Sequence, residues 1–162
     1  MPGVPFPKRI RLTPAVYADR ECTFHLVLRA RTGTAPFRDP ATATLLWSIV
    51  EQQNARGRVT LLAACLMPDH LHLLAKPDED DLVRWCNSFK SFTAHACHGL
   101  GQQGSLWQPS FYDRAIQGAH EFEETLKYIW DNPAAAGLLE SGGTWPWRAT
   151  WLDPDGAAST GN

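Results

Sequence analysis

An α+β fold is predicted, one antiparallel sheet with its helices packed on one face. Three observations predict it: apolar periodicity alternates between strand and helix along the chain, turn residues separate the runs, and no run exceeds the length of a strand or a globular helix. The 162 residues, 44% apolar, supply one hydrophobic core but not two of ordinary domain size. Residues 1–152 are therefore expected as a single domain, followed by a disordered tail over 153–162.

Each element has its own signal. CTFHLVLRA, residues 22–30, mixes β-branched, aromatic and aliphatic side chains over strand length, and the 33–40 region breaks it. Over residues 41–55, Leu45, Leu46, Ile49 and Val50 recur at helical spacing until Gly57. Residues 58–66 and 70–75 read as two strands with a turn over 67–69. PDEDD then places acids where a helix N-terminus favours them, ahead of the stripe Leu82, Trp85, Cys86, Phe89, Thr93 and Ala96. A flexible loop, GLGQQGS, leads to an extended segment over 112–117. A last helix over 121–131 is expected to stop at Asn132 and Pro133. The order β, α, β, β, α, β is ferredoxin-like, with that last helix as an addition.

Composition narrows the function classes. No apolar run is long enough to span a bilayer, and MPGVPFPKRIRL carries prolines and charges where a signal peptide has an apolar centre, so a cytoplasmic location is expected. Cys22, Cys65, Cys86 and Cys97 lack metal-finger spacing and read as buried thiols. A net charge of -2 hides an asymmetry: nine Lys/Arg against four Asp/Glu through Thr60, then six against thirteen. Lys8, Arg9 and Arg11 lie in the basic part.

LMPDHLHLL places two histidines inside an apolar run. Alternate strand residues share a face, so His70 and His72 point together, away from Leu71 and Leu73. If the leucines face the helices, the histidines occupy an open face, close enough to hold one cation. Spacing alone leaves two readings, metal ligands or partly exposed, hydrogen-bonded histidines. On the last helix Phe122, Leu126, Ile129 and Trp130 cluster on one side and Tyr128 falls nearly opposite, with Asn132 one turn further on. Tyr128 is thus either a functional phenol or a surface cap, and Asn132 either a hard-cation ligand or a helix terminator. HACH offers only a weak second zinc pattern, and Trp107 reads as core or as a base-stacking platform.

CLMPDHLHLL, FKSFTAH, SLWQPSFYDRAI, LKYIWDNPAAAGLL and WPW together resemble the single-tyrosine HUH transposases (transposase IS200-like), in particular the branch associated with repetitive extragenic palindromes. The segments occur in that family's order and spacing. The resemblance implies a metal-dependent endonuclease and strand transferase for single-stranded or hairpin DNA. Tyr128 would be its nucleophile, and His70, His72 and Asn132 would be ligands of Mg²⁺ or Mn²⁺. Tyr112 is the rival tyrosine, but it belongs to the extended segment. Arg9, Arg11, Lys90 and Arg114 are candidate DNA contacts. The family commonly has Asn where this chain has Asp69, and residues 133–137 lack the Arg often found there. Monomer and homodimer are both compatible with this reading, and so is a non-catalytic hairpin-binding module.

These residue types suit the implied reaction. Attack of a phenol oxygen on a phosphodiester leaves a 5'-phosphotyrosine and a free 3'-hydroxyl, conserving the bond for rejoining. Two imidazoles and an amide leave a cation's charge undiminished for the scissile phosphate, as a cage of carboxylates would not.

Overall fold

The structure, a computed structural model, describes residues 11–140 and 143–153. Strands β1 (Phe24–Arg29), β2 (Val59–Met67), β3 (His70–Pro77), β4 (Tyr112–Ala115) and β5 (Arg148–Thr150) form one antiparallel sheet in the order β4-β1-β3-β2-β5. The helices are α1 (Pro14–Tyr17), α2 (Pro40–Arg56), α3 (Leu82–His98) and α4 (Gly118–Ala135), with a short 3-10 turn over Pro36–Arg38. The ferredoxin-like α+β architecture is present, with β5 added along the free edge of β2. The residues expected as a tail, from Pro154 on, lie outside the described residues. No helix of the described residues is long and apolar enough to cross a membrane.

Local chemistry explains the helix boundaries. Asp39 caps α2 by accepting from the Thr42 amide at 3.0 Å and the Thr42 hydroxyl at 2.6 Å, and Pro40 occupies the first helical position, where no N–H is needed. Gly57 ends α2 at φ 70, a left-handed conformation that glycine adopts without a Cβ clash. Asp81 caps α3 by accepting from the Arg84 amide at 2.9 Å. On α4, Glu121 reaches back to the Gln117 amide at 2.7 Å. That helix does not stop at Asn132, as its sequence suggests, but continues through a buried Pro133 to Ala135. Proline removes one helical N–H, a cost that its burial offsets. Asn132 consequently stays on the helix, one turn beyond Tyr128.

Two cores lie on the two faces of the sheet. Phe24, Leu26, Leu28, Leu71, Leu73 and Leu66 face α2 and α3, where Leu46, Ile49, Trp85 and Phe89 meet them. Fully burying each such side chain contributes roughly 2 kcal/mol, so this layer dominates stability. The second core, Leu62, Ala63, Cys65, Met67, Leu74 and Ile129, lies beneath α4, with Phe122 and Leu126 partly buried against it. Hence the face expected to stand open is partly covered. The stripe on α4 had to bury somewhere, and the first face was already occupied.

The chain after α4 locks that cover down. Leu66 donates its amide to the Trp147 carbonyl at 2.8 Å, and Trp145 donates its indole N–H to the Leu66 carbonyl at 2.9 Å. From β5, Arg148 donates to the Trp130 carbonyl at 2.7 Å and stacks over the Trp130 ring at 4.2 Å. Trp130 is therefore not part of the buried stripe, as periodicity suggested, but an exposed platform for arginine.

Candidate active site

Strand register, not proximity in the chain, assembles the site. Val27 lies opposite His72 and Arg29 opposite His70, so His25, Val27 and Arg29 share the histidine face. On the far side of β1, Tyr112 lies opposite Val27 and Arg114 opposite His25. Between this face and α4 lies a cleft of about 320 Å³, lined by His25, Arg29, His72, Tyr112, Arg114 and Tyr128 among others. The turn before β3 is pinned from both sides, since the Asp69 carbonyl accepts from the Ala30 amide at 2.8 Å and the Pro68 carbonyl from the Phe37 amide at 3.0 Å.

The histidines form a chain of ring contacts. His25 Nε2 lies 3.0 Å from His72 Nδ1, His72 Nε2 lies 3.0 Å from His70 Nε2, and His70 Nδ1 lies 2.6 Å from Asp69 Oδ1. Because a carboxylate oxygen only accepts, His70 carries its proton on Nδ1. Burial pushes His72 well below the usual histidine range, and the nearby His70, His25 and Arg29 push it further. Burial also lowers His70, against the opposing pull of Asp69. Both rings are neutral at pH 7.

Stability should follow this depression. In the unfolded chain a histidine takes up its proton near pH ~6.5, whereas folded His72 still excludes it there. The unfolded state then binds more protons, so stability falls as pH drops below about 6.5 and recovers above it. The expected result, in metal-free buffer, is a melting temperature that declines from pH 7 to pH 5, with a shallower decline in His72→Gln. Identical slopes would contradict it.

α4 delivers the phenol. The Tyr128 ring lies edge-on to His72 with centroids 5.6 Å apart and edge-on to His25 at 6.0 Å, while 57% of the residue remains exposed. Tyr112 is edge-on to His25 at 5.9 Å. Both tyrosines thus border the cleft, and Tyr128 is the one whose ring lies against His72 as well. Asn132 does not line this cleft. It lines an adjoining hollow with Tyr128, Glu124, Lys127 and Asp131.

The donor set suits a divalent cation. With metal–nitrogen bonds of about 2.1 Å, two ligands at right angles lie about 3.0 Å apart, and at a tetrahedral angle about 3.4 Å. The His70 and His72 Nε2 atoms are 3.0 Å apart, and the other ring nitrogen of His70 faces a carboxylate while that of His72 faces His25 Nε2, a nitrogen that donates or accepts according to its tautomer. Among the described residues no group of three or more His, Cys, Asp or Glu side chains forms a ready cage. Among the described residues two imidazoles face one point, and further ligands would be amide, water or substrate oxygens.

Of the expected DNA contacts, Arg114 lines the cleft. Its Nη2 lies 2.5 Å from Glu121 Oε1, off the axis of a hydrogen bond. Arg11 serves the opposite face, where it pairs with buried Asp113 at 2.8 Å and covers the Phe111 ring at 3.8 Å. Tyr17 donates to the same carboxylate at 2.8 Å. Lys90 donates to the Gln108 carbonyl at 2.6 Å and the Ser110 carbonyl at 3.2 Å, holding the segment before β4, and burial lowers its pKa. Arg9 lies outside the described residues. Trp107 is core, donating its indole N–H to Thr93 at 2.9 Å, and His98 Nε2 lies 3.0 Å from the Gly104 carbonyl. Cys65, Cys86 and Cys97 are buried free thiols, with Cys65 pushed up to about 12 by burial, while Cys22 is half-buried.

Sequence reasoning missed His25 and Arg29. Their alternation within FHLVLR was visible, but which strand their face would adjoin was not.

A family match gives the class, the transposases. Residues 18–132 match the family model described as Transposase IS200 like, and the chain belongs to that family. It is 34% identical over 91 residues to the REP-associated tyrosine transposase of Escherichia coli (strain K12), covering 54% of this chain and 52% of the relative. A Haemophilus influenzae relative named for the same transposase group is 29% identical over 104 residues, covering 57% of this chain and 59% of its own. The chain spans little more than half the length of these curated relatives. The solved structure of a REP-associated tyrosine transposase bound to a REP hairpin shares the fold, with a TM-score of 0.69 at 20% identity, covering 88% of this chain and 82% of that one.

Proposed function

We propose that the protein is a metal-dependent, single-tyrosine endonuclease and strand transferase acting on hairpin-bearing or single-stranded DNA, with Tyr128 as nucleophile. One observation carries this reading: an exposed phenol lies edge-on to His72, whose Nε2 faces that of His70. Family membership and the REP hairpin bound by the structural neighbour support DNA as substrate.

His70 and His72 would hold the cation as neutral ligands, and Asn132, one turn beyond Tyr128, would add an amide oxygen. When bound, a divalent ion polarises the phosphate and offsets the charge growing on its oxygens. The protein's own groups do the rest. Tyr128 Oη forms a bond to phosphorus as the P–O3' bond breaks; the phenol proton leaves to solvent and the released 3'-oxygen is protonated. Arg29 and Arg114 line the cleft and offer guanidinium groups to flanking phosphates. Edge-on packing against His72 limits where the phenol can point, which favours in-line approach.

A second reading, hairpin binding without chemistry, is favoured by the position of Asn132, which lines the neighbouring hollow and not the cleft that holds His72. One assay separates the two. A labelled hairpin oligonucleotide is incubated with protein and Mn²⁺, denatured, digested and mapped by mass spectrometry. The expected product is a nucleotide adduct on the peptide carrying Tyr128. An adduct on Tyr112 would move the nucleophile, and release of free cleaved products would point to water. Binding without cleavage would leave the module reading.

A further inference from the structure

We propose that His25 is a positioning residue that selects the metal-binding tautomer of His72, as Asp69 does for His70. The inference rests on the reading of His70 and His72 as a cation pair. A neutral imidazole has one N–H and one lone pair, so both Nε2 atoms bind a cation only when each proton sits on Nδ1. That proton then needs an acceptor. For His70 it is Asp69 Oδ1 at 2.6 Å, and for His72 it is His25 Nε2 at 3.0 Å. His72 and His25 are 3% and 8% exposed, so solvent is a poor substitute for this acceptor.

The same contacts dictate a different arrangement without the cation. Asp69 requires a proton on His70 Nδ1, which leaves neutral His70 a lone pair on Nε2. His72 must then donate from its own Nε2, and its bare Nδ1 must accept from His25 Nε2. All three contacts run one way, from His25 toward Asp69. Cation binding would require one of them reversed: His72 with its proton on Nδ1 and a lone pair on Nε2, and His25 with an Nε2 that accepts. Both rings carry one proton in either arrangement, so only their tautomers differ. His25 therefore determines how readily His72 presents a lone pair to the ion.

The test uses the full chain with His25→Phe, which keeps a ring but no acceptor, and His25→Gln, which restores an acceptor oxygen. Mn²⁺ binding is followed by calorimetry or by the signal of free ion. The expected result is about a 10- to 100-fold weaker affinity in His25→Phe, the scale seen when a ligand's orienting partner is lost, with most of it regained in His25→Gln. Nitrogen-15 spectra of wild type with and without Mg²⁺ provide a reading that needs no variant. The His25 and His72 signals are expected to exchange tautomer on binding. Wild-type affinity in His25→Phe, or an unchanged His72 tautomer on binding, would overturn the role of His25 while leaving the cation pair intact. Failure of wild type to bind either ion would overturn both.

Discussion

Tyr128→Phe is expected to eliminate the covalent DNA adduct, a loss of at least about 10³-fold in cleavage, the scale expected when a covalent nucleophile is removed. Hairpin affinity and Mn²⁺ affinity should stay within a few-fold of wild type. The substitution deletes one oxygen from an exposed ring and keeps the edge-on contacts with His72 and His25. No large stability change is expected, because this side chain is more than half exposed and lies opposite the buried Ile129 stripe. Tyr112→Phe provides the comparison: its ring lies against His25 from a strand, and its loss should leave an adduct in place. Tyr17 is buried and donates to Asp113, so it cannot substitute. Persistence of the adduct in Tyr128→Phe would remove the basis of the strand-transfer reading.

His72→Ala should have the second-largest effect, and it should be felt twice. Chemically, one of the two nitrogens proposed to hold the cation disappears, so Mn²⁺ affinity and adduct formation should each fall by about 100-fold or more, beyond the loss typical of an orienting partner alone. Structurally, a buried ring is removed, leaving a cavity and stranding the nitrogens of His25 and His70 that face it. Each stranded buried group costs about 1–3 kcal/mol, so unfolding in denaturant should show a loss of roughly 2–4 kcal/mol. His70→Ala should share the chemical loss with a smaller structural one, since His70 is only half-buried and its lost partner Asp69 is exposed. Unaltered Mn²⁺ affinity in both variants would relocate the metal site.

Much of this molecule was legible because the relevant forces are local. The α2 stripe was visible to within a residue of its bounds, since periodicity, Pro40 and Gly57 act within a few residues of one another. HLHLL announced its two faces for the same reason, as side chains alternate along any strand. The helix end was misread because a proline preceded by asparagine usually marks a stop, and only tertiary burial of Pro133 offsets the missing hydrogen bond. Lys90 and Arg11 read as candidate DNA contacts, and the carbonyls and carboxylate they meet lie too far along the chain to be seen from sequence.

The sequence by itself determined the element order, the pairing of two imidazoles on one face, and a tyrosine turned away from its helix's apolar side. Tertiary structure alone decided where those features would meet. The β1–β3 register set His25 and Arg29 beside the pair, and the need to bury the α4 stripe placed that helix on the sheet face left vacant. The reason is physical: periodicity is enforced by bonds and neighbours a few residues away, whereas register and docking face follow from the competition of all apolar surfaces for burial.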